Sequence, residues 1–154
     1  MNRRDACLLL SSAALAVFTN AAYAAAPKPA RIMVYKNESC GCCKLWVQHL
    51  LDAGFEVRVQ DVDNLGPIKD RVGIPPTMGS CHTGEVEGYF VEGHVPADDI
   101  RRLLKERPQA RGLTVPGMPA GSPGMEVPSG KVDRYEVLLI AKDGKSSVYS
   151  RHGG

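Results

Sequence analysis

The sequence predicts an α/β domain with a mixed central sheet flanked by helices. Short strand-like apolar runs alternate with helix-periodic runs along the chain. A C-x-x-C formed by Cys40 and Cys43 lies where the first strand meets the first long helix, and the pair Pro75 and Pro76 precedes a later strand. This order is typical of a thioredoxin-like domain, in which a cis-proline lies across from the C-x-x-C. We therefore expect a cis peptide bond at Pro76.

The first half of the domain is expected to alternate strands and helices. The expected elements are a strand at 31–35, a helix at 42–53, a strand at 55–62 and a helix at 64–72. In the first helix, apolar residues recur at the spacing of one helix face, and Gly54 ends the pattern. The second strand alternates Phe and Val with Glu, Arg and Gln, which is typical of a strand.

The second half is expected to be richer in strands and to end in a hairpin. The expected elements are a strand at 80–83, a turn at 84–88, a strand at 89–95, a helix at 96–107, and hairpin strands at 134–141 and 146–149. Asp143 and Gly144 supply the hairpin turn. Residues 108–130 are rich in Pro and Gly and contain Met118 and Met125, so we expect a long ordered C-terminal loop or a lid there.

The N-terminal region has the pattern of a signal peptide. A basic start, an apolar stretch at 7–18 and the sequence Ala-Tyr-Ala predict cleavage after Ala24, or else after Ala26. The expected division is a signal peptide at 1–24, a linker at 25–30 and one domain at 31–154. The apolar stretch is too short to span a bilayer, so we expect no stable membrane insertion after cleavage. Export by the Sec or the twin-arginine route predicts an oxidising compartment, most simply a bacterial periplasm.

Charge excludes one class of partner. The 154 residues carry a formal net charge of +2, without a basic stripe or a basic run interleaved with aromatic residues. We therefore expect no nucleic-acid partner. The exported part, about 130 residues long, is large enough for a modest hydrophobic core without disulfide staples.

Four cysteines of the exported part carry the chemistry. Cys40, Cys42 and Cys43 lie within four consecutive residues at the start of a predicted helix, and Cys81 follows the proline pair. Free N–H groups and the helix dipole lower the pKa of a thiol at such a position, which makes Cys40 the best candidate for an exposed thiolate. Cys40 and Cys43 suit a reversible disulfide, but this leaves Cys42 without a role. A polynuclear Cu(I) centre explains Cys42 better, since thiolates bind soft metals and methionine thioethers favour copper over zinc.

Other side chains supply further candidates. His94, near the end of a predicted strand, is the better imidazole ligand, whereas His82 is expected to face away from Cys81 because neighbours on a strand alternate faces. Met118 and Met125 either bind metal or pack the loop onto the core. Three residues are expected to lie outside the site: Trp46 in the core, His49 on the surface and His152 in a frayed tail.

The residues alone leave several alternatives open. The four cysteines could form two disulfides, although the adjacent Cys42 and Cys43 are awkward to bridge to separate partners. Cys81 could be a small buried core residue. The chain could be a thiol–disulfide oxidoreductase in which Cys40 attacks a substrate disulfide and Cys43 resolves the product. A structural zinc domain is disfavoured by the adjacent cysteines and the methionines. Whether the protein is an enzyme therefore stays open.

Four motifs follow one another along residues 31–149. They are Ser-Cys-Gly-Cys-Cys-Lys-x-Trp at 39–46, Ser-Cys-His-Thr at 80–83, Glu-Gly-His-Val-Pro at 92–96, and Gly-Leu-x-Val-Pro-Gly-Met-Pro-x-Gly-Ser-Pro-Gly-Met at 112–125. Together they resemble the CopG-type copper-resistance proteins, exported bacterial metal-binding proteins long described only as uncharacterised.

The resemblance implies a thioredoxin-like fold that carries a cysteine-bridged copper cluster in the periplasm. By motif position it implies sulfur ligands at Cys40, Cys42, Cys43 and Cys81, with His94 and Met118 as flanking ligands. It implies more than one Cu(I) ion, partners among copper-efflux or copper-chaperone proteins, and redox cycling of copper or of a cysteine pair. The sequence thus predicts a periplasmic copper-binding protein of copper resistance, with the oxidoreductase as the alternative.

Overall fold

The computed structural model describes residues 28–154, so the expected signal peptide and the first half of the expected linker lie outside the described residues. In the described part, seven strands form one mixed sheet accompanied by three α-helices, which confirms the expected α/β class. The elements are β1 (Arg31–Lys36), α1 (Gly41–Asp52), β2 (Glu56–Asp61), α2 (Gly66–Val72), β3 (His82–Val86), β4 (Tyr89–Glu92), α3 (Ala97–Glu106), β5 (Ala110–Thr114), β6 (Tyr135–Ala141) and β7 (Ser146–His152). No helix of residues 28–154 is long and apolar enough to cross a membrane.

The strand order brings the first turn of α1 beside the start of β3. The sheet runs β2-β1-β3-β4-β5-β6-β7, with parallel pairs β1–β2 and β4–β5 and antiparallel pairs elsewhere. Lys36 at the end of β1 pairs with His82 at the start of β3. The chain enters α1 soon after Lys36, and Cys81 directly precedes His82. Residues far apart in sequence therefore meet at this end of the two strands.

The main core lies where α1 and α3 cover the sheet. Burial alternates along β1, as the period of a strand with one covered face requires. The fully buried side chains include Ile32 and Val34 of β1, Trp46 and Leu50 of α1, and Ile100 and Leu103 of α3. The buried sides of these two helices thus supply much of the core.

The turn expected at 84–88 is shorter in the structure. Strand β3 continues to Val86, and only Glu87 and Gly88 remain as a two-residue turn, both with positive φ. Gly84 lies inside the strand, where a Cβ would approach Ile32 Cγ2 to 3.3 Å. Gly84, which is expected in a turn from the sequence, therefore lies in a strand, where its lack of a side chain permits close packing.

The long loop expected at 108–130 contains a strand. Residues Ala110–Thr114 form β5, which pairs in parallel with β4 and antiparallel with β6. A Cβ at Gly112 would lie 2.1 Å from the carbonyl oxygen of Phe90, so the close approach of β5 to β4 depends on glycine. The loop proper begins after Thr114 and ends before β6.

The expected cis bond at Pro76 is wrong, since every peptide bond of the described residues is trans. Pro76 instead begins a 3-10 turn, Pro76–Met78, in which the Met78 N–H donates to the Pro75 carbonyl at 2.8 Å. Its fixed φ suits the first position of such a turn.

Two histidines expected at the periphery have structural partners. His49 is half-buried, and its Nε2 accepts a hydrogen bond from the Ala97 N–H at 3.0 Å, which joins α1 to the start of α3. His152 lies in β7 rather than in a frayed tail. Its Nε2 lies 2.7 Å from Asp99 Oδ2, and its ring stacks on Tyr135 with centroids 5.1 Å apart.

Candidate metal centre

The sulfur atoms of four cysteines meet at the first turn of α1. Cys42 Sγ lies 3.5 Å from Cys40 Sγ and 3.7 Å from Cys81 Sγ. Cys40 and Cys43 form a disulfide with their Cα atoms 5.4 Å apart, while Cys42 and Cys81 are free thiols. All four sulfurs lie within 4.8 Å of one another. The structure therefore brings together the four cysteines expected from the sequence.

The turn before α1 presents three of these cysteines at a helix N-terminus. Cys40 is the N-cap residue, and its carbonyl accepts the first helical hydrogen bond from the Lys44 N–H at 3.3 Å. The Asn37 side chain shapes the preceding turn by accepting from the Ser39 N–H and hydroxyl at 3.0 and 2.6 Å. The first turn of α1 carries no acidic side chain. Its free N–H groups and the positive end of the helix dipole therefore lie at the cysteine-rich turn.

Cys81 and His82 both reach the centre, which corrects the expectation that His82 faces away. Cys81 lies just before β3, so the alternation of faces along a strand does not govern its direction. The Nδ1 atom of the fully buried His82 lies 3.3 Å from Cys81 Sγ. Cys81 is half-buried rather than a filler of the core.

Two imidazoles point their lone pairs at the same sulfur. His82 Nε2–H donates to the Gly93 carbonyl at 2.9 Å, and His94 Nδ1–H donates to the Pro123 carbonyl at 2.8 Å. Because carbonyl oxygens only accept, these bonds fix the tautomers and leave His82 Nδ1 and His94 Nε2 unprotonated in the neutral rings. Each of these atoms lies 3.3 Å from Cys81 Sγ. Such carbonyl-oriented rings are typical of metal-binding histidines.

Burial keeps the His82 and His94 imidazoles and the Cys81 thiol neutral when no metal is bound. It lowers the pKa of His82 to about 3 and also lowers the pKa of His94. Burial, with the nearby Cys42 as a second cause, raises the pKa of the Cys81 thiol to about 12. A soft metal ion bound here would therefore have to displace the Cys81 proton, whereas both imidazoles would already offer an unprotonated nitrogen. Sulfur and imidazole donors together suit soft metal ions.

Trp46 holds one of the rings as well as filling the core. Its Nε1–H donates to the Val95 carbonyl at 2.9 Å, which fixes the indole in place. The indole lies against the His82 ring with centroids 4.3 Å apart, and His82 meets His94 edge to face at 4.9 Å. The sequence predicts only that Trp46 packs in the core. Its second role, holding the His82 ring, is revealed only by the contact between the two rings.

The loop after β5 covers one side of the centre. Gly124 lies against the backbone of the first turn of α1, and the preceding Pro123 carbonyl orients His94. Met118 of the same loop is 54% exposed, outside the buried set of donors. It follows Gly117, whose carbonyl accepts a hydrogen bond from the Ser80 hydroxyl at 2.6 Å.

Comparisons with known proteins identify relatives of this chain. Residues 78–125 match a family model described as a protein of unknown function, DUF411. Two similar solved structures are Copper resistance protein copG, Form 1 and Form 2, each with 46% identity and a TM-score of 0.77. Form 1 covers 82% of this chain and 99% of its own chain, and Form 2 covers 80% and 98%. No curated protein matches the chain. At this identity and coverage, the chain belongs to the CopG-type copper-resistance family.

Proposed function

We propose that this chain is a periplasmic copper-binding protein of copper resistance, which holds Cu(I) in a cysteine-bridged centre. The observation that carries the proposal is the convergence of sulfur and neutral imidazole donors around the Cys81 sulfur. Related structures at 46% identity carry the name of a copper-resistance protein, which favours copper over other soft metals. Thiolate sulfur can bridge two ions, so four neighbouring sulfurs suit more than one Cu(I).

The proposed ligands fall into two groups. The sulfur ligands are Cys40, Cys42, Cys43 and Cys81, and the nitrogen ligands are His94, expected from the sequence, and His82, added from the geometry. The exposed Met118 is proposed as a flanking ligand at the edge of the centre. Copper-efflux or copper-chaperone proteins are the proposed partners.

The disulfide makes the capacity of the centre depend on its redox state. With Cys40 and Cys43 oxidised, two thiols and two imidazoles remain as donors. Exchange with an external dithiol, which supplies two electrons and two protons and is itself oxidised to a disulfide, would convert the Cys40–Cys43 disulfide into two thiols and restore four sulfur ligands. We therefore extend the proposal to redox cycling, in which reduction prepares the full Cu(I) centre.

The location and the fold class form part of the same proposal. The order β2-β1-β3-β4, with α1 between the parallel strands β1 and β2, supports a thioredoxin-like first half, to which β5–β7 are added. A disulfide persists in oxidising compartments, which supports the periplasm.

The test is anaerobic Cu(I) loading of the fully reduced protein, followed by removal of loose metal and measurement of copper per chain. We expect more than one ion in the wild type and fewer in Cys42→Ser and in Cys81→Ser. His94→Gln is expected to weaken binding. His152→Gln is the matched control, because it removes an imidazole whose partner is Asp99 and not a cysteine of the centre. Full loading of Cys42→Ser with wild-type affinity would contradict the bridged centre.

A thiol–disulfide oxidoreductase remains the second candidate because Cys40 and Cys43 already form a disulfide at a helix N-terminus. Cys40 is partly exposed and Cys43 is buried, as attack by the first and resolution by the second require. The Cys40 thiolate would form a mixed disulfide and release one substrate thiol. Cys43 would then attack the Cys40 sulfur, which releases the second thiol and leaves the Cys40–Cys43 disulfide. Insulin reduction by the metal-free protein that needs Cys40 but not Cys42 would favour this function.

A further inference from the structure

The residue before Cys81 has all three of its polar groups bound to different parts of the fold. The Ser80 N–H donates to Glu92 Oε1 of β4 at 2.6 Å, and the Ser80 carbonyl accepts from Lys69 Nζ of α2 at 3.0 Å. The Ser80 hydroxyl donates to the Gly117 carbonyl, in the loop after β5, at 2.6 Å. Ser80, which lies between the 3-10 turn and β3, is thereby held from three directions.

Glu92 and Lys69 form a saturated polar network behind Ser80. Glu92 is fully buried and forms an ion pair with Lys69, whose side chain is 19% exposed. Thr83 Oγ1–H donates to Glu92 Oε2 at 2.7 Å and accepts from Lys69 Nζ at 3.2 Å. A buried ion pair adds little to stability on average, because desolvation offsets its attraction. Its directional bonds nevertheless hold the atoms that they reach in one geometry.

Close packing leaves Ser80 little room to move. A Cβ at Gly93, where φ is +71°, would lie 2.7 Å from Ser80 Cβ and 2.6 Å from the Val115 carbonyl oxygen. The same Gly93 supplies the carbonyl that orients His82. The contacts of Ser80 and the orientation of the imidazole therefore share one backbone segment.

We propose that Lys69 and Glu92 are positioning residues that act through Ser80 to hold the Cys81 sulfur at the metal centre. The Cys81 Sγ position that they set lies 3.7 Å from Cys42 Sγ and 3.3 Å from each unprotonated imidazole nitrogen. The expected effect on metal affinity rests on the proposed copper function, whereas the expected effect on the position of the Cys81 thiol does not. Partners that orient metal ligands typically change metal affinity by about 10- to 100-fold when they are replaced.

The variant that isolates this role is Lys69→Met with Glu92→Leu. It removes both partners of the Ser80 backbone and leaves no unpaired buried charge, so the protein is expected to fold. The matched control is Arg71→Met with Glu85→Leu. That pair joins α2 to β3 at the surface through an ion pair of 2.6 Å, and its two hydrogen bonds run between Arg71 and Glu85 alone.

Phenylarsine oxide reports the Cys42–Cys81 arrangement without copper. Its arsenic(III) forms two As–S bonds, and the two thiol protons leave with its oxygen as water, so no oxidant is needed. With the Cys40–Cys43 disulfide intact, Cys42 and Cys81 are the free thiols of residues 28–154. All variants are made in a Cys7→Ser background, which removes the cysteine of the expected signal peptide.

We expect the wild type and the Arg71/Glu85 control to bind the arsenical alike. The Lys69/Glu92 variant is expected to bind it about tenfold more weakly, and Cu(I) about 10- to 100-fold more weakly, while it still unfolds cooperatively. Wild-type arsenical affinity in the folded variant would overturn the proposal.

If the double variant does not fold, Lys69→Met with Glu92→Gln decides, because it removes the lysine donor to the Ser80 carbonyl and leaves no unpaired buried charge. Wild-type arsenical affinity in that variant would equally overturn the proposal. The arsenical result and the copper result separate the two proposals. A wild type that binds the arsenical but no Cu(I) refutes the copper function and leaves the positioning role intact.

Discussion

Replacing Gly124 by alanine should separate the loop over the metal centre from α1. Gly124 has a φ of +84°, and a Cβ there would lie 2.7 Å from the Cys42 carbonyl oxygen and 2.7 Å from the Trp46 backbone nitrogen. Both atoms belong to the backbone of α1, so neither can move aside as a flexible side chain would. The loop must shift instead, and with it the Pro123 carbonyl that orients His94.

The expected loss of stability has two parts. Alanine at positive φ costs about 1 kcal/mol in backbone conformation. Forcing a methyl group into a well-packed contact costs a further ~1–3 kcal/mol. The free energy of unfolding should therefore fall by about 2–4 kcal/mol, a large part of the ~5–15 kcal/mol that a domain usually has.

Gly130→Ala is the matched control for this change. Gly130 lies in the same loop with a φ of +69°, and a Cβ there would meet no atom within 4 Å. Urea denaturation should therefore show a loss of only about 1 kcal/mol in the control. Copper affinity should fall in Gly124→Ala and not in Gly130→Ala. Equal losses of stability in the two variants would refute the packing argument.

Two further predictions concern α1. Burial lowers the pKa of His49, whose Nε2 must stay unprotonated to accept from Ala97. The unfolded chain thus binds a proton more readily, so the stability that His49 contributes should be present above its unfolded pKa of about 6.5 and be lost as pH falls below it. Denaturation of wild type and His49→Gln from pH 8 to pH 5 measures this, and a pH-independent difference between them would contradict it. Trp46→Phe leaves the buried Val95 carbonyl without its donor and should cost about 1–3 kcal/mol and weaken Cu(I) binding. Unchanged copper affinity in folded Trp46→Phe would show that the indole does not orient His82.

The meeting of the four cysteines could be predicted from the sequence because helix and strand signals are strong around them. The apolar period after Cys43 predicts α1, and the break before Cys81 predicts a new strand. The direction of His82 could not be predicted in the same way. It depends on β3 beginning at His82 itself, so that Cys81 lies outside the strand and the alternation of faces does not apply to these two neighbours.

Strand β5 was not predicted because its own residues do not favour a strand. Ala-Arg-Gly-Leu-Thr lacks the β-branched and aromatic run that predicts one, and its glycine is typical of a loop. Pairing with β4 and β6 overrides this local preference, and Gly112 permits the close approach to Phe90. Long-range contacts of this kind, like those that join Lys69, Ser80 and Glu92, leave no periodic signal in a single sequence.

X-ray absorption at the copper edge of the reduced protein, loaded anaerobically with Cu(I), tests the central claim most directly. The predicted spectrum shows Cu(I) bound mainly by sulfur, with an imidazole contribution that disappears when His82 and His94 are both replaced by glutamine. Copper surrounded only by oxygen and nitrogen, or a spectrum unchanged by the loss of Cys42 and Cys81, would contradict it.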